Sequence, residues 1–207
     1  MYKLSLSEKQ FSVLREALNF TCVFTNHNML CIHYAFKNAC HNTPDIHSVD
    51  NLLGELFVKA RKLFPSSISE ACAISAKLSF TASAENKTLC LSESECNICC
   101  NALDQYSRCL MGQFSIFLPL FSDNREEAIP TLLALRNLYF PELNIGINGS
   151  YGICSPDIPE ESKLAYEMYK VIKHKMWLDG GKTPKYCVDS DGPLKLTDEP
   201  LIIIEKI

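Results

Sequence analysis

Arg108 and Gln113 flank Gly112, and Asn148, Ser150, Tyr151 and Gly152 follow within a Gly-rich stretch, Asn144-Ile145-Gly146-Ile147-Asn148-Gly149-Ser150-Tyr151-Gly152. These residue types suit binding more than bond-breaking. An arginine fork can place two hydrogen bonds on one phosphate or carboxylate, which lysine cannot reproduce. Gln113 and Asn148 offer amide edges, Ser150 a hydroxyl, and Tyr151 a ring on which a base can stack. Gly149 and Gly152 permit tight turns that expose backbone N–H groups to an anion. His174, with Lys170, Lys173 and Lys175 nearby, offers a second anion contact. Each has a structural reading too. Arg108 can cover apolar surface with its stem, Gly112 can end a helix, the Gly-rich stretch can be an ordinary loop, and His174 can complement a helix dipole.

The catalytic templates are missing from the sequence. There is no GxSxG, no GxxxxGK[ST], no GxGxxG after a strand and no HExxH. Cys154 with His174 as base would be a nucleophile pair, but no residue is marked as the orienting third member. The expectation is therefore a binding protein with no catalytic residues, metal or cofactor.

What must position these groups is visible as an internal repeat. Leu4-Ser5-Leu6-Ser7-Glu8 recurs as Leu89-Cys90-Leu91-Ser92-Glu93, and Ala17-Leu18 as Ala102-Leu103, at an offset of 85 residues (89 − 4). Each copy begins with an alternating strand, Lys3 to Leu6 and Thr88 to Leu91, followed by a helix capped by Ser7 or Ser92. A second helix is expected over Asn28 to Ala39 and Gln113 to Phe121, and a third over Val49 to Phe64 and Glu126 to Tyr139. Phe64-Pro65 and Phe140-Pro141 close the third helix at an offset of 76 (140 − 64). A final helix is expected from Pro159 to Trp177, ended by Gly180-Gly181. Tyr186 to Asp189 and Leu201 to Ile204 then read as a C-terminal hairpin. The fold class is α+β and mostly helical: two degenerate strand-helix repeats packed as a pseudo-dimer with a C-terminal β-hairpin. Residues 1–85 form a degenerate scaffold repeat and 86–207 the repeat that carries the site, together one compact unit.

The repeat also isolates the candidate site. Leu143 to Asp157 is inserted only in the second copy, and Arg108, Gly112 and Gln113 replace unlike residues in the first. It weighs against zinc as well. Cys96 and Cys99, spaced like metal ligands, fall on Phe11 and Leu14, so small buried hydrophobes are the better reading.

Eleven cysteines, an odd number, in 207 residues argue against a disulfide scaffold. A net charge of −4 argues against general nucleic-acid binding. No run of about 18 apolar residues exists for a membrane span, and the first residues lead into a strand rather than a signal-peptide core. A cytoplasmic protein is expected, without nucleic-acid or membrane partners.

The second half, with Tyr106-Ser107-Arg108, Met111-Gly112-Gln113-Phe114, Asn148 to Ile153 with Ser155-Pro156, and Ile172-Lys173-His174, resembles a family of small uncharacterised tailed-phage and prophage proteins carrying YSR…GQF and N-x-SYGI-x-SP motifs. The resemblance covers roughly residues 88 to 207. It implies a phage protein in the bacterial cytoplasm, with the character of an anti-defence sponge that sequesters a cyclic-nucleotide or ADP-ribose signal without turnover. Arg108 would take phosphate, Tyr151 the base, the loop N–H groups a pyrophosphate, and Asn148 or Gln113 the polar edges. The alternatives are an inhibitor that binds a host or defence protein and, third, a hydrolase of the same signals using His174. A homo-oligomer is compatible with all three.

Overall fold

The computed structural model describes residues 1–25, 36, 44–59, 73–75, 87–121, 125–180 and 192–207. The molecule is mostly helical, with one small antiparallel sheet. Strand β1 (Tyr2–Leu6) turns directly into α1 (Glu8–Thr25), and after α2 (Ile46–Lys59), β2 (Lys87–Leu91) turns into α3 (Glu93–Leu110). A 3-10 helix (Phe114–Phe121), α4 (Arg125–Tyr139), α5 (Glu160–Asp179) and β3 (Ile203–Lys206) complete the described chain.

Both strand-to-helix turns are built as capping boxes. Ser92 Oγ accepts from Glu95 N at 3.2 Å while Ser92 N donates to Glu95 Oε2 at 2.7 Å. In the first copy Gln10 stands where Glu95 does: Ser7 N donates to Gln10 Oε1 at 2.8 Å and Gln10 N to Ser7 Oγ at 3.2 Å. Each pair satisfies two backbone donors that a helix start leaves open. Asp45 caps α2 by accepting from Ser48 N at 3.0 Å.

The sheet order is β2-β1-β3, all antiparallel. Leu4 lies opposite Leu89 and Ile204, and Tyr2 opposite Leu91 and Lys206. Tyr2, Leu4, Leu6, Leu89 and Leu91 are buried against the helices. Met1, Ile203 and Ile207 are 61%, 62% and 63% exposed. With period-two alternation along each strand, one sheet face is therefore core and the other open. The core runs unbroken from Tyr2 to Ile202 through both copies and includes Leu14, Leu18, Cys96, Cys99, Leu103, Phe114 and Leu164.

Helices α3 and α5 run antiparallel. Ser107 and Ser162 exchange hydrogen bonds at one end, each hydroxyl donating to the other's carbonyl at 2.9 Å. At the other end Tyr2 senses Asp179, Glu93 and Cys96 together, and burial foremost, then these neighbours, raise its phenol pKa.

Several expectations are modified. The helix expected over residues 113–121 is a 3-10 helix that contains Pro119, which has no N–H to donate. Asn28 to Ala39 lies outside the described residues except for Phe36, which is helical and packs on Phe114, Tyr139 and Phe140. Phe64-Pro65 also lies outside them. Of the expected hairpin, residues 186–189 lie outside the described set. Its second strand forms two residues later than expected, at Ile203–Lys206, with β1 as partner. A strap delivers that strand: buried Glu167 accepts from Leu196 N, from Thr197 N at 2.7 Å and from Thr197 Oγ1 at 2.8 Å, and Gln10 Nε2 donates to Pro200 O.

Candidate functional site

The end of α3 is the first half of the site. Met111 is its C-cap, and Gly112 follows at φ +83°, a left-handed position in which its N–H donates to Cys109 O at 2.9 Å. A Cβ here would stand 2.6 Å from Leu143 Cδ2. The turn brings Gln113 back onto Arg108: Gln113 N donates to Arg108 O at 2.9 Å, and Arg108 Nη1 to Gln113 Oε1 at 3.3 Å. Arg108 Nε also donates to Asp104 Oδ1 at 2.8 Å, one helical turn back, and its side chain remains 41% exposed. A guanidinium has five N–H groups, so these contacts leave it able to donate outward.

The second half is the insert. Tyr151 N donates to Met111 O at 3.1 Å, which sets the insert beside the α3 turn. The Tyr151 ring meets Phe140 edge-on with centroids 6.1 Å apart. Burial foremost, then Asp157 and Glu142, raise the Tyr151 phenol above the ordinary tyrosine range. Ser150 is half-buried and Asn148 exposed. The structure thus gathers Arg108, Gln113, Ser150, Tyr151 and Gly152 in one region, with Asn148 on the same loop.

Two expectations are corrected. The N–H groups at the two glycines expected to face an anion are already engaged: Gly149 N donates to Gly146 O at 2.8 Å and Gly152 N to Ser150 Oγ at 3.3 Å, while Tyr151 N donates to Met111 O and Ser155 N to Gly152 O at 3.1 Å. His174 is also remote. It lies twelve residues beyond Ser162 on α5, roughly 18 Å along the axis at 1.5 Å per residue, toward the start of α3. There it stacks on Trp177, with centroids 5.9 Å apart.

Sequence reasoning missed Arg136. It is only 1% exposed, and its guanidinium donates to Leu143 O at 3.0 Å, Ile145 O at 2.6 Å and Gly146 O at 2.9 Å. Its Nε has no hydrogen-bond partner, and burial lowers its pKa. The signal was available: at the 76-residue offset, Arg136 falls on Ala60, so this arginine too belongs to one copy.

Cys96, Cys99 and Cys100 are 0–1% exposed. Burial pushes the Cys96 thiol up to about 12 and raises Cys99 as well. Among the described residues no three His, Cys, Asp or Glu side chains are grouped to hold a metal ion, and no helix is long and apolar enough to cross a membrane. No protein-family model, curated protein or solved structure matches the chain.

Proposed function

We propose that the turn at the end of α3 and the insert together bind a nucleotide-derived signal and sequester it without turnover. The observation that supports this reading is the hydrogen bond from Tyr151 N to Met111 O, which joins the loop carrying a partly exposed aromatic ring to the turn that carries Arg108 and Gln113. The local charge narrows the ligand. Arg108 is paired with Asp104, and Glu142 and Asp157 act on Tyr151, so a polyphosphate would meet acids as well as the arginine. A cyclic nucleotide, with one phosphate charge for Arg108 and a base for Tyr151, fits better than a diphosphate such as ADP-ribose. The resemblance of the second half to phage proteins supplies the setting, an anti-defence protein in the bacterial cytoplasm.

Titration calorimetry with cyclic nucleotides and ADP-ribose tests the reading. Arg108→Ala and Tyr151→Ala should each weaken binding at least tenfold, about 1.4 kcal/mol, with the fold unchanged. Ligand released after incubation should be intact. A hydrolysed product would replace the sponge by a hydrolase, and two variants that bind like the native chain would sink the site.

A pseudo-dimer fits the same reading. Its support is that Leu4, on the first strand, sits directly opposite Leu89, its equivalent at the 85-residue offset, and that α1 and α3 occupy equivalent spans at that offset. A two-fold axis through that strand pair would relate the copies. One observation favours the second class of function, an inhibitor that docks on a protein or on a copy of itself. The open sheet face carries Met1, Ile203 and Ile207. Ile203→Lys would abolish inhibition or self-association on that reading and leave nucleotide binding intact.

A further inference from the structure

The insert and the arginine beneath it are both absent from the first copy, where Ala60 stands in place of Arg136. Their geometry explains why they come together. An irregular loop that turns three carbonyls inward leaves three acceptors to be satisfied, and one guanidinium takes those of Leu143, Ile145 and Gly146. Among the described residues no carboxylate pairs with Arg136, so its hydrogen bonds go to the loop alone. Gly149 N then closes on Gly146 O, and two residues later Tyr151 reaches Met111. Position is therefore passed along a short path, from α4 through the carbonyl cluster to Tyr151 at the end of α3.

We propose that Arg136 is the positioning residue of the site: by clamping the carbonyls of residues 143, 145 and 146 it sets Tyr151 and Ser150 against the Arg108-Gln113 turn. A planar fork suits this task because separate N–H groups reach separate carbonyls. Lysine keeps the charge and can reach some of them. That Tyr151 belongs to a ligand site rests on the reading above; the clamping does not, and its test needs no ligand.

The test is tyrosine ionisation followed by NMR on protein labelled with 13C-tyrosine, the Tyr151 resonance being assigned by its loss in Tyr151→Phe. In the native chain Tyr151 should titrate above the ordinary value of about 10. In Arg136→Met the loop is released, Tyr151 gains solvent, and its midpoint should fall toward that value, with helix content by circular dichroism unchanged. Arg136→Lys should give an intermediate midpoint, and it supplies the readout if Arg136→Met does not fold. The charges acting on the phenol are Asp157 and Glu142, so loss of the arginine's charge does not mimic this downward shift. A native-like Tyr151 midpoint in Arg136→Met, or in Arg136→Lys should the methionine variant not fold, overturns the proposal. If the midpoint falls while cyclic nucleotides fail to bind even the native chain, the clamp stands and the nucleotide reading alone is lost.

Discussion

Gly112 and Gly152 share a left-handed backbone, φ +83° and +80°, but differ in what a methyl group would meet. At Gly112 it would press on Leu143 at 2.6 Å and Phe140 at 3.4 Å, whereas at Gly152 the space is open. Alanine at Gly152 should cost about 1–2 kcal/mol, the backbone penalty alone. At Gly112 overpacking adds about 1–3 kcal/mol, and urea midpoints should rank the two variants in that order. Cys96 makes a prediction in pH. Its thiol is raised from 9.0 to about 12 in the fold. Stability contributed by the neutral buried thiol is complete below pH 9 and is lost as pH rises toward 12, because the unfolded chain releases its proton first. The loss should approach about 1.4 kcal/mol per pH unit for such a group inside that window. Cys96→Ala should flatten the alkaline slope of the urea midpoint; an equal slope in both proteins would refute the assignment. At this scale the repeat made much of the site legible, because comparing copies isolates Arg108, Gln113 and the insert. It did not reveal that His174 points elsewhere, since helix direction is set by packing; the same comparison marks Arg136 as present in one half only, but not its role, which lies in backbone carbonyls that carry no sequence signature.

The helices were legible as elements because both starts carry their own signals. Ser7-Glu8-Lys9-Gln10 and Ser92-Glu93-Ser94-Glu95 each fit the Ser-x-x-Gln/Glu box. Ser92→Ala should cost about 1 kcal/mol in thermal or urea unfolding. Ser7→Ala should cost more, since Ser7 Oγ also donates to Glu199 at 2.7 Å. The strap that places β3 was not legible. Its partners lie far apart in sequence, 30 residues for Glu167 and Thr197 and 190 for Gln10 and Pro200, and the segment has no periodicity of its own. Glu167→Ala would leave the Leu196 and Thr197 N–H groups without their acceptor, at about 1–3 kcal/mol. Hydrogen exchange should then speed up along β3 and on the edge of β1 that faces it, while the β1–β2 pairing stays protected. Equal acceleration on both edges of β1 would show that the strap supports the whole sheet instead.

For the whole molecule, the two halves of the chain share what each would need to stand alone. Strand β1 belongs to the first copy but lies between β2 and β3, both from the second half, and one apolar cluster runs from Tyr2 to Ile202. Lys9 on α1 is paired with Glu160 on α5 at 2.8 Å, and Phe20 packs on Tyr106 and Phe117. Removing either half would expose the sheet centre and strip the packed face from α1 or α3, a loss that burial of the remaining apolar surface cannot offset. The chain should therefore unfold in a single transition despite the recurring strand-helix start in its two halves. Trp177 is its one tryptophan and sits on α5. Its fluorescence reports the second half, while circular dichroism at 222 nm reports helices throughout. The two urea curves should superimpose, and residues 86–207 expressed alone should lack a cooperative transition because β2 and β3 would have no strand between them. Separated curves, or a cooperative fragment, would mean that the second repeat is a domain in its own right and that the first is an attachment rather than a scaffold.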